Sequence, residues 1–263
     1  MSLLDKILTT KRAEIVELER RILPEFPEVP PLEFLSGSAG DTLGLICEIK
    51  FRSPSAGPLS TTMTSEERAR VYEESGASMI SVLCDGQYFD GSYEELVRAR
   101  QGTTLPLLAK EFIISHVQLR AARAYGASAA LLIVRCLDDG QLKHLISTAE
   151  DLGLTPIVEV VTEVEAQRAL DAGAKVVGVN ARDLDTLEMD EARAHRVIEQ
   201  LPAGTISLYF SGVKVPSDLE KVAESGAKGA LIGETLMKQE NPGPLLAQFR
   251  TAARRLQPTA RGV

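Results

Sequence analysis

Short apolar runs recur along the chain at 45–50, 79–84, 105–111, 128–134, 155–160, 175–180, 205–210 and 229–233. Between them lie stretches whose apolar residues return at helical spacing: 65–75, 93–101, 117–125, 138–152, 163–172, 191–200 and 217–225. Four of these end in Gly-Ala, at Gly76-Ala77, Gly126-Ala127, Gly173-Ala174 and Gly226-Ala227. A glycine just past a helix supplies the left-handed cap, after which the next strand can begin. Continuously apolar strands alternating with amphipathic helices predict a parallel sheet covered by helices. Eight such units fit a single closed (β/α)8 barrel, the TIM-barrel architecture, spanning residues 1–263. An open doubly wound sheet is the alternative, but its Gly-x-Gly-x-x-Gly after the first strand is absent.

The first 40 residues stand outside the repeat and predict a helical extension packed on the barrel. Residues 3–22 read as an amphipathic helix with Leu3, Leu4, Ile7, Leu8, Ile15 and Leu18 on one side. A proline-rich connector follows from Pro24 to Pro31, and a short helix is predicted near Leu35. The segment is too short to bury a core of its own.

Composition narrows the function. Of 263 residues, 44% are hydrophobic and 25% charged, as a globular core requires. The net charge of -8 argues against nucleic acid or an anionic membrane as the main partner, so any phosphate site must be built locally. Cys47, Cys84 and Cys136 lie in or beside apolar runs without metal-ligand spacing; no metal site and a reduced, cytoplasmic setting are expected. No apolar run approaches the ~20 residues of a membrane span.

A barrel places function at the C-terminal ends of its strands. Polar residues gather there: Glu48 and Lys50 on the first strand, Asp85 after the second, and Lys110 and Glu111 on the third. Arg135 follows the fourth, Glu159 ends the fifth, and Asn180 and Arg182 close the sixth. Ser211-Gly212 follows the seventh and Gly233-Glu234 the eighth. Glu48 and Lys50 are two apart and so share one face of the strand. Burying that pair is costly unless it has work to do, and the polar loop Ser53-Pro54-Ser55-Ala56-Gly57 follows directly.

These residues carry a resemblance. Glu48-Ile49-Lys50 with Ser53-Pro54-Ser55, Tyr88-Phe89-Asp90-Gly91-Ser92, Lys110-Glu111-Phe112-Ile113, Ile157-Val158-Glu159-Val160, Gly178-Val179-Asn180-Ala181-Arg182-Asp183-Leu184 and Leu231-Ile232-Gly233-Glu234 occur in one order along the chain. In that order they resemble the indole-3-glycerol phosphate synthase family of tryptophan biosynthesis, across nearly the whole chain. The resemblance implies a carboxy-lyase without cofactor or metal, acting on carboxyphenylamino-deoxyribulose phosphate. It implies Lys110 as general acid of ring closure and Glu159 as acid or base in later proton transfers. Lys50 would meet the anthranilate carboxylate, and which lysine serves which step stays open. Glu48 would hold Lys50 and substrate hydroxyls, and Asn180 would orient Glu159 or the substrate. Phe89 and Phe112 would wall the aromatic ring. Ser53, Ser211, Gly212, Gly233 and the Glu234 backbone would form the phosphate cup, with Arg182 beside them. A phosphorylated small molecule is the expected partner, and a monomer or weak homodimer the expected form.

The chain departs from the family at Phe210. The family's seventh strand ends Glu-Ser-Gly; here it ends Phe210-Ser211-Gly212. The lost carboxylate leaves a second reading open: a paralogue with weak activity, an altered substrate, or phosphosugar binding without turnover. A phosphoribosyl anthranilate isomerase on the same barrel would want a cysteine and an aspartate at strand ends, and Cys47 precedes Glu48 instead. His116, His144 and His195 lie in helical stretches without ligand spacing and are expected at the surface, and Arg182-Asp183 is a candidate loop ion pair.

Overall fold

The computed structural model describes residues 2–35, 42–54, 57–60 and 62–256; residues 36–40 of the N-terminal extension and Ser55 and Ala56 of the polar loop lie outside the described residues. Eight parallel strands form the barrel: β1 (Gly44–Ile49), β2 (Met79–Leu83), β3 (Leu107–Lys110), β4 (Ala129–Ile133), β5 (Thr155–Val160), β6 (Val176–Asn180), β7 (Ile206–Phe210) and β8 (Gly229–Ile232). Each strand pairs with its chain neighbours, and β1 closes the ring by pairing with both β2 and β8. Every strand the apolar pattern predicts is present, with ends displaced by at most two residues. The helices between them match to within one residue. The four Gly-Ala caps hold glycine at φ between 85° and 100°, the left-handed region.

Period-2 alternation divides the side chains into two shells. Along β1, Leu45, Cys47 and Ile49 pack outward against the helices. Ile46 faces the axis with Met79, Leu108, Leu131, Ile157, Leu208 and Leu231 from other strands. Glu48 shares the inward parity of Ile46, Lys110 that of Leu108, Glu159 that of Ile157, and Phe210 that of Leu208. On β1, β3 and β5 the inward set therefore turns from apolar to charged near the C-terminal end, while β4 and β7 stay apolar there with Ile133 and Phe210.

The N-terminal helix α1 (Leu3–Glu19) starts at a capping box, in which Ser2 and Asp5 bond each other's backbone N–H. It ends three residues earlier than the predicted 22, ahead of Pro24. Leu4 and Ile7 pack into the same cluster as the axial residues, so α1 covers the barrel mouth. The short helices Gly86–Phe89 and Glu234–Met237 and the C-terminal helix Gly243–Ala253 are additions that the sequence pattern did not reveal. Among the described residues no helix is long and apolar enough to cross a membrane.

Candidate active site

A cavity of about 510 Å³ opens at the C-terminal ends of the strands. Its lining takes in Glu48, Lys50 and Ser53 from β1 and its loop, Phe89 after β2, and Lys110 and Phe112 from the end of β3. Glu159 enters from β5, Asn180 and Arg182 from β6, and Phe210, Ser211 and Gly212 from β7. Gly233 and Glu234 complete it after β8. The cavity thus brings together every residue for which the resemblance implied a role.

At its centre Lys110 Nζ donates to Glu159 Oε2 at 3.1 Å. The other carboxylate oxygen, Oε1, accepts from Asn180 Nδ2 at 3.0 Å. Asn180 is fixed in turn, because its Oδ1 accepts the Arg182 backbone N–H at 3.0 Å. Register explains the convergence: Glu159 lies beside Gly178 on the neighbouring strand, two residues before Asn180 on the same inward face. Glu159 is 1% exposed, so its charge rests on these two donors rather than on bulk water. An ammonium and a buried carboxylate in direct contact, open to one cavity, can hand a proton to a bound molecule and take one back.

Glu48 and Lys50 form a second pair, 2.5 Å apart, across the mouth. Glu48 is buried; a Cβ on Gly233 would collide with its carboxylate, so a glycine there makes the space the acid occupies. Glu234 pairs with Lys238 at 2.5 Å. That hydrogen bond holds the Glu234 carboxyl below its usual range, with the charges of Lys50 and Arg182 adding to it. Ser211 sits at φ 69° and Gly212 at φ 91°. A serine in the left-handed region carries strain, which persists only where the surroundings fix it and which gathers at functional sites.

The aromatic side of the cavity is made by Phe89 and Phe112, whose ring centres lie 6.0 Å apart. Phe210 closes the floor. Its ring is buried, lies against Gly178, where a Cβ would collide with it, and has Lys110 Nζ 4.9 Å from its centre.

Four expectations need correction. Asp85 does not face the mouth; it turns under α1, where its carboxylate meets Lys11 at 2.7 Å. Arg135 also stays out of the cavity, binding Glu165 at 2.8 Å and Asp183 at 3.1 Å. Asp183 is thereby taken, and Arg182 instead donates to the Leu187 carbonyl at 3.1 Å, so the Arg182–Asp183 ion pair is not formed. His195 is half-buried and stacks on Tyr209 at 5.3 Å, rather than lying free on the surface. Cys84 is buried, and its thiol is pushed well up by that burial and by the nearby Glu111.

The aliphatic part of the lining was not legible in the sequence. Leu3, Leu4 and Ile7 reach the cavity from α1, 100 residues away in sequence from β3. Lys214 and Lys238 join from the loops after β7 and β8. The periodicity of α1 marked its apolar face, but nothing local says that this face covers the mouth.

Comparison with known proteins decides the family. The family model for indole-3-glycerol phosphate synthase matches residues 4–249. The chain belongs to the indole-3-glycerol phosphate synthase family. Among its relatives, indole-3-glycerol phosphate synthase of Mycobacterium ulcerans is 41% identical over 257 residues, covering 95% of this chain and 94% of that one. Indole-3-glycerol phosphate synthase 1 of Streptomyces coelicolor is 42% identical over 248 residues, with 92% of each covered. Among solved structures, 3-hexulose-6-phosphate synthase from Salmonella typhimurium matches with TM-score 0.65 at 12% identity, over 81% of this chain and 99% of that one. Thiamine phosphate pyrophosphorylase from Pyrococcus furiosus matches with TM-score 0.62 at 15% identity, over 82% and 97%. Those two likenesses speak for the barrel alone. The match to the indole-3-glycerol phosphate synthase model begins within α1, so the helix that covers the mouth belongs to the family's unit.

Proposed function

We propose that the chain carries out the reaction of its family: closure of the pyrrole ring of carboxyphenylamino-deoxyribulose phosphate, with loss of carbon dioxide and then water, giving indole-3-glycerol phosphate. The observation that carries this reading is the contact of Lys110 with Glu159 inside the cavity. Lys110 gives its proton to the substrate ketone oxygen as the ring carbon attacks. The carboxylate then leaves as carbon dioxide and its bonding electrons return to the ring. Glu159, neighbour to Lys110 and held by Asn180, serves the proton transfers that expel water. Lys50 meets the aryl carboxylate and Glu48 the hydroxyls of the sugar chain.

Phe89 and Phe112 receive the aromatic ring. The phosphate is received opposite them by Ser53, Arg182, Ser211, Gly212, Gly233 and the Glu234 backbone. Donors in the last two loops are the usual phosphate seat of this barrel. The Glu234 side chain is held by Lys238, which leaves its backbone N–H as the useful group. We infer a cytoplasmic monomer or weak homodimer. Product fluorescence under steady-state turnover tests the proposal, and folded protein without product above the uncatalysed rate would refute it.

A second reading is favoured by one residue. Phe210 puts a ring where the family has a carboxylate, and a hydroxyl of the substrate loses an acceptor there. That supports a paralogue of reduced activity or altered substrate, and the same assay, run with substrates lacking one hydroxyl, separates the two.

A further inference from the structure

Lys11 stands in the middle of α1 and is 1% exposed. A buried ammonium persists only when it is paired and its donors are used. Lys11 Nζ meets Asp85 Oδ2 at 2.7 Å, Glu111 Oε1 and Oε2 at 3.0 and 3.2 Å, and Glu14 Oε2 at 2.7 Å. Asp85 and Glu111 are themselves buried, and neither belongs to α1. Asp85 comes two residues after β2, and Glu111 follows Lys110 directly.

Each of those carboxylates has a second task. Asp85 Oδ1 accepts the Tyr88 backbone N–H at 2.7 Å and so caps the short helix that ends in Phe89. Glu111 Oε1 accepts the Phe112 backbone N–H at 2.7 Å. One ammonium therefore joins α1 to the segment carrying Phe89 and to the segment carrying Lys110 and Phe112. Thr10, next to Lys11, adds a 3.3 Å hydroxyl contact to Tyr88. Ile7, one turn earlier on the same face, lines the cavity.

We propose that Lys11 is a positioning residue of the active site: through Asp85 and Glu111 it sets the places of Lys110 and of the aromatic pair Phe89 and Phe112. This rests on the reading of Lys110 as the acid. Lys11 does not line the cavity and acts on it through Glu111, the residue after Lys110. The phosphate side of the mouth, at Ser211 and Gly233, comes from β7 and β8, neither of which pairs with β2 or β3, and lies outside this joint.

The test compares wild type with Lys11→Met by kcat, by KM, and by equilibrium binding of anthranilate and of inorganic phosphate, each per folded molecule. Displacing the acid by about an ångström should lower kcat about 100-fold. Anthranilate binding weakens and phosphate binding stays as in wild type. Wild-type kcat in folded Lys11→Met, or equal loss of anthranilate and phosphate binding, would overturn the proposal. Should Lys11→Met not fold, the uncharged variant Lys11→Met/Asp85→Asn/Glu111→Gln carries the same comparison. If wild type itself shows no turnover, the catalytic reading fails, and the two binding measurements still decide the role of Lys11.

Discussion

Lys110 Nζ lies 4.9 Å from the centre of the Phe210 ring, while the same ammonium donates to Glu159 at 3.1 Å. The ring sits where the family carries a carboxylate, so Lys110 has one carboxylate partner and one aromatic face where two carboxylates would compete for it. A cation over an aromatic face gains about 0.5–2 kcal/mol depending on how dry the site is. That contact keeps Lys110 near Glu159 without tying up its protons.

The seat of the ring yields the first prediction. Phe210 fills the space that a Cβ on Gly178 would need. Gly178→Ala should lower the unfolding free energy by about 1–3 kcal/mol through overpacking. Gly178→Ala/Phe210→Leu, which removes the clashing edge of the ring, should recover most of it. Denaturant unfolding of the three proteins checks this; no loss in the single variant would show that the ring moves freely.

Restoring the family carboxylate gives the second. Phe210→Glu should raise turnover per folded molecule, because a charged acceptor for a substrate hydroxyl is worth ~1.5–3 kcal/mol. That corresponds to roughly ten- to a hundred-fold in rate. Stability should fall at the same time, since the new carboxylate enters an apolar layer with Leu208 and Ile157. Steady-state kinetics well below the melting temperature read the first effect; a drop in kcat would mean that Phe210 has a positive role at Lys110.

The third prediction concerns pH. Burial pushes the Glu111 carboxyl up to about 7, with Lys11 opposing and Asp85 adding to the rise. Its value in the unfolded chain is about 4.3. The folded state therefore favours the protonated acid. The stability this contributes is full below about pH 4.3 and is lost as pH rises through about 7, by at most about 4 kcal/mol. Glu111→Gln keeps an acceptor for the Phe112 N–H and removes the titration. Urea midpoints measured from pH 5 to 8 should fall for wild type relative to this variant. Parallel curves would contradict the assignment.

The alternation of apolar strands and capped helices was enough to read the barrel, because each unit obeys local rules: period 2, period 3.6 and a left-handed glycine between them. Glu48, Lys110, Glu159 and Asn180 were legible for the same reason, as charged or polar groups at inward positions of buried strands. Lys11 was not legible. On a helix of charged residues it looks like one more solvated lysine, and its burial depends on Asp85 and Glu111, which chain topology alone brings to it. Asp85 was misjudged by the same fact, since its place at a strand end pointed to the mouth while its partner lay on α1. The short helix Glu234–Met237, only one turn long, leaves too weak a periodicity to be seen.

Lys110 is proposed to supply the proton for ring closure. The most direct measurement is single-turnover formation of indole-3-glycerol phosphate from carboxyphenylamino-deoxyribulose phosphate, followed by product fluorescence in wild type and in Lys110→Met. Turnover is expected in wild type and none above the uncatalysed rate in Lys110→Met, which still binds inorganic phosphate as wild type does. Product formation by Lys110→Met at the wild-type rate would contradict it.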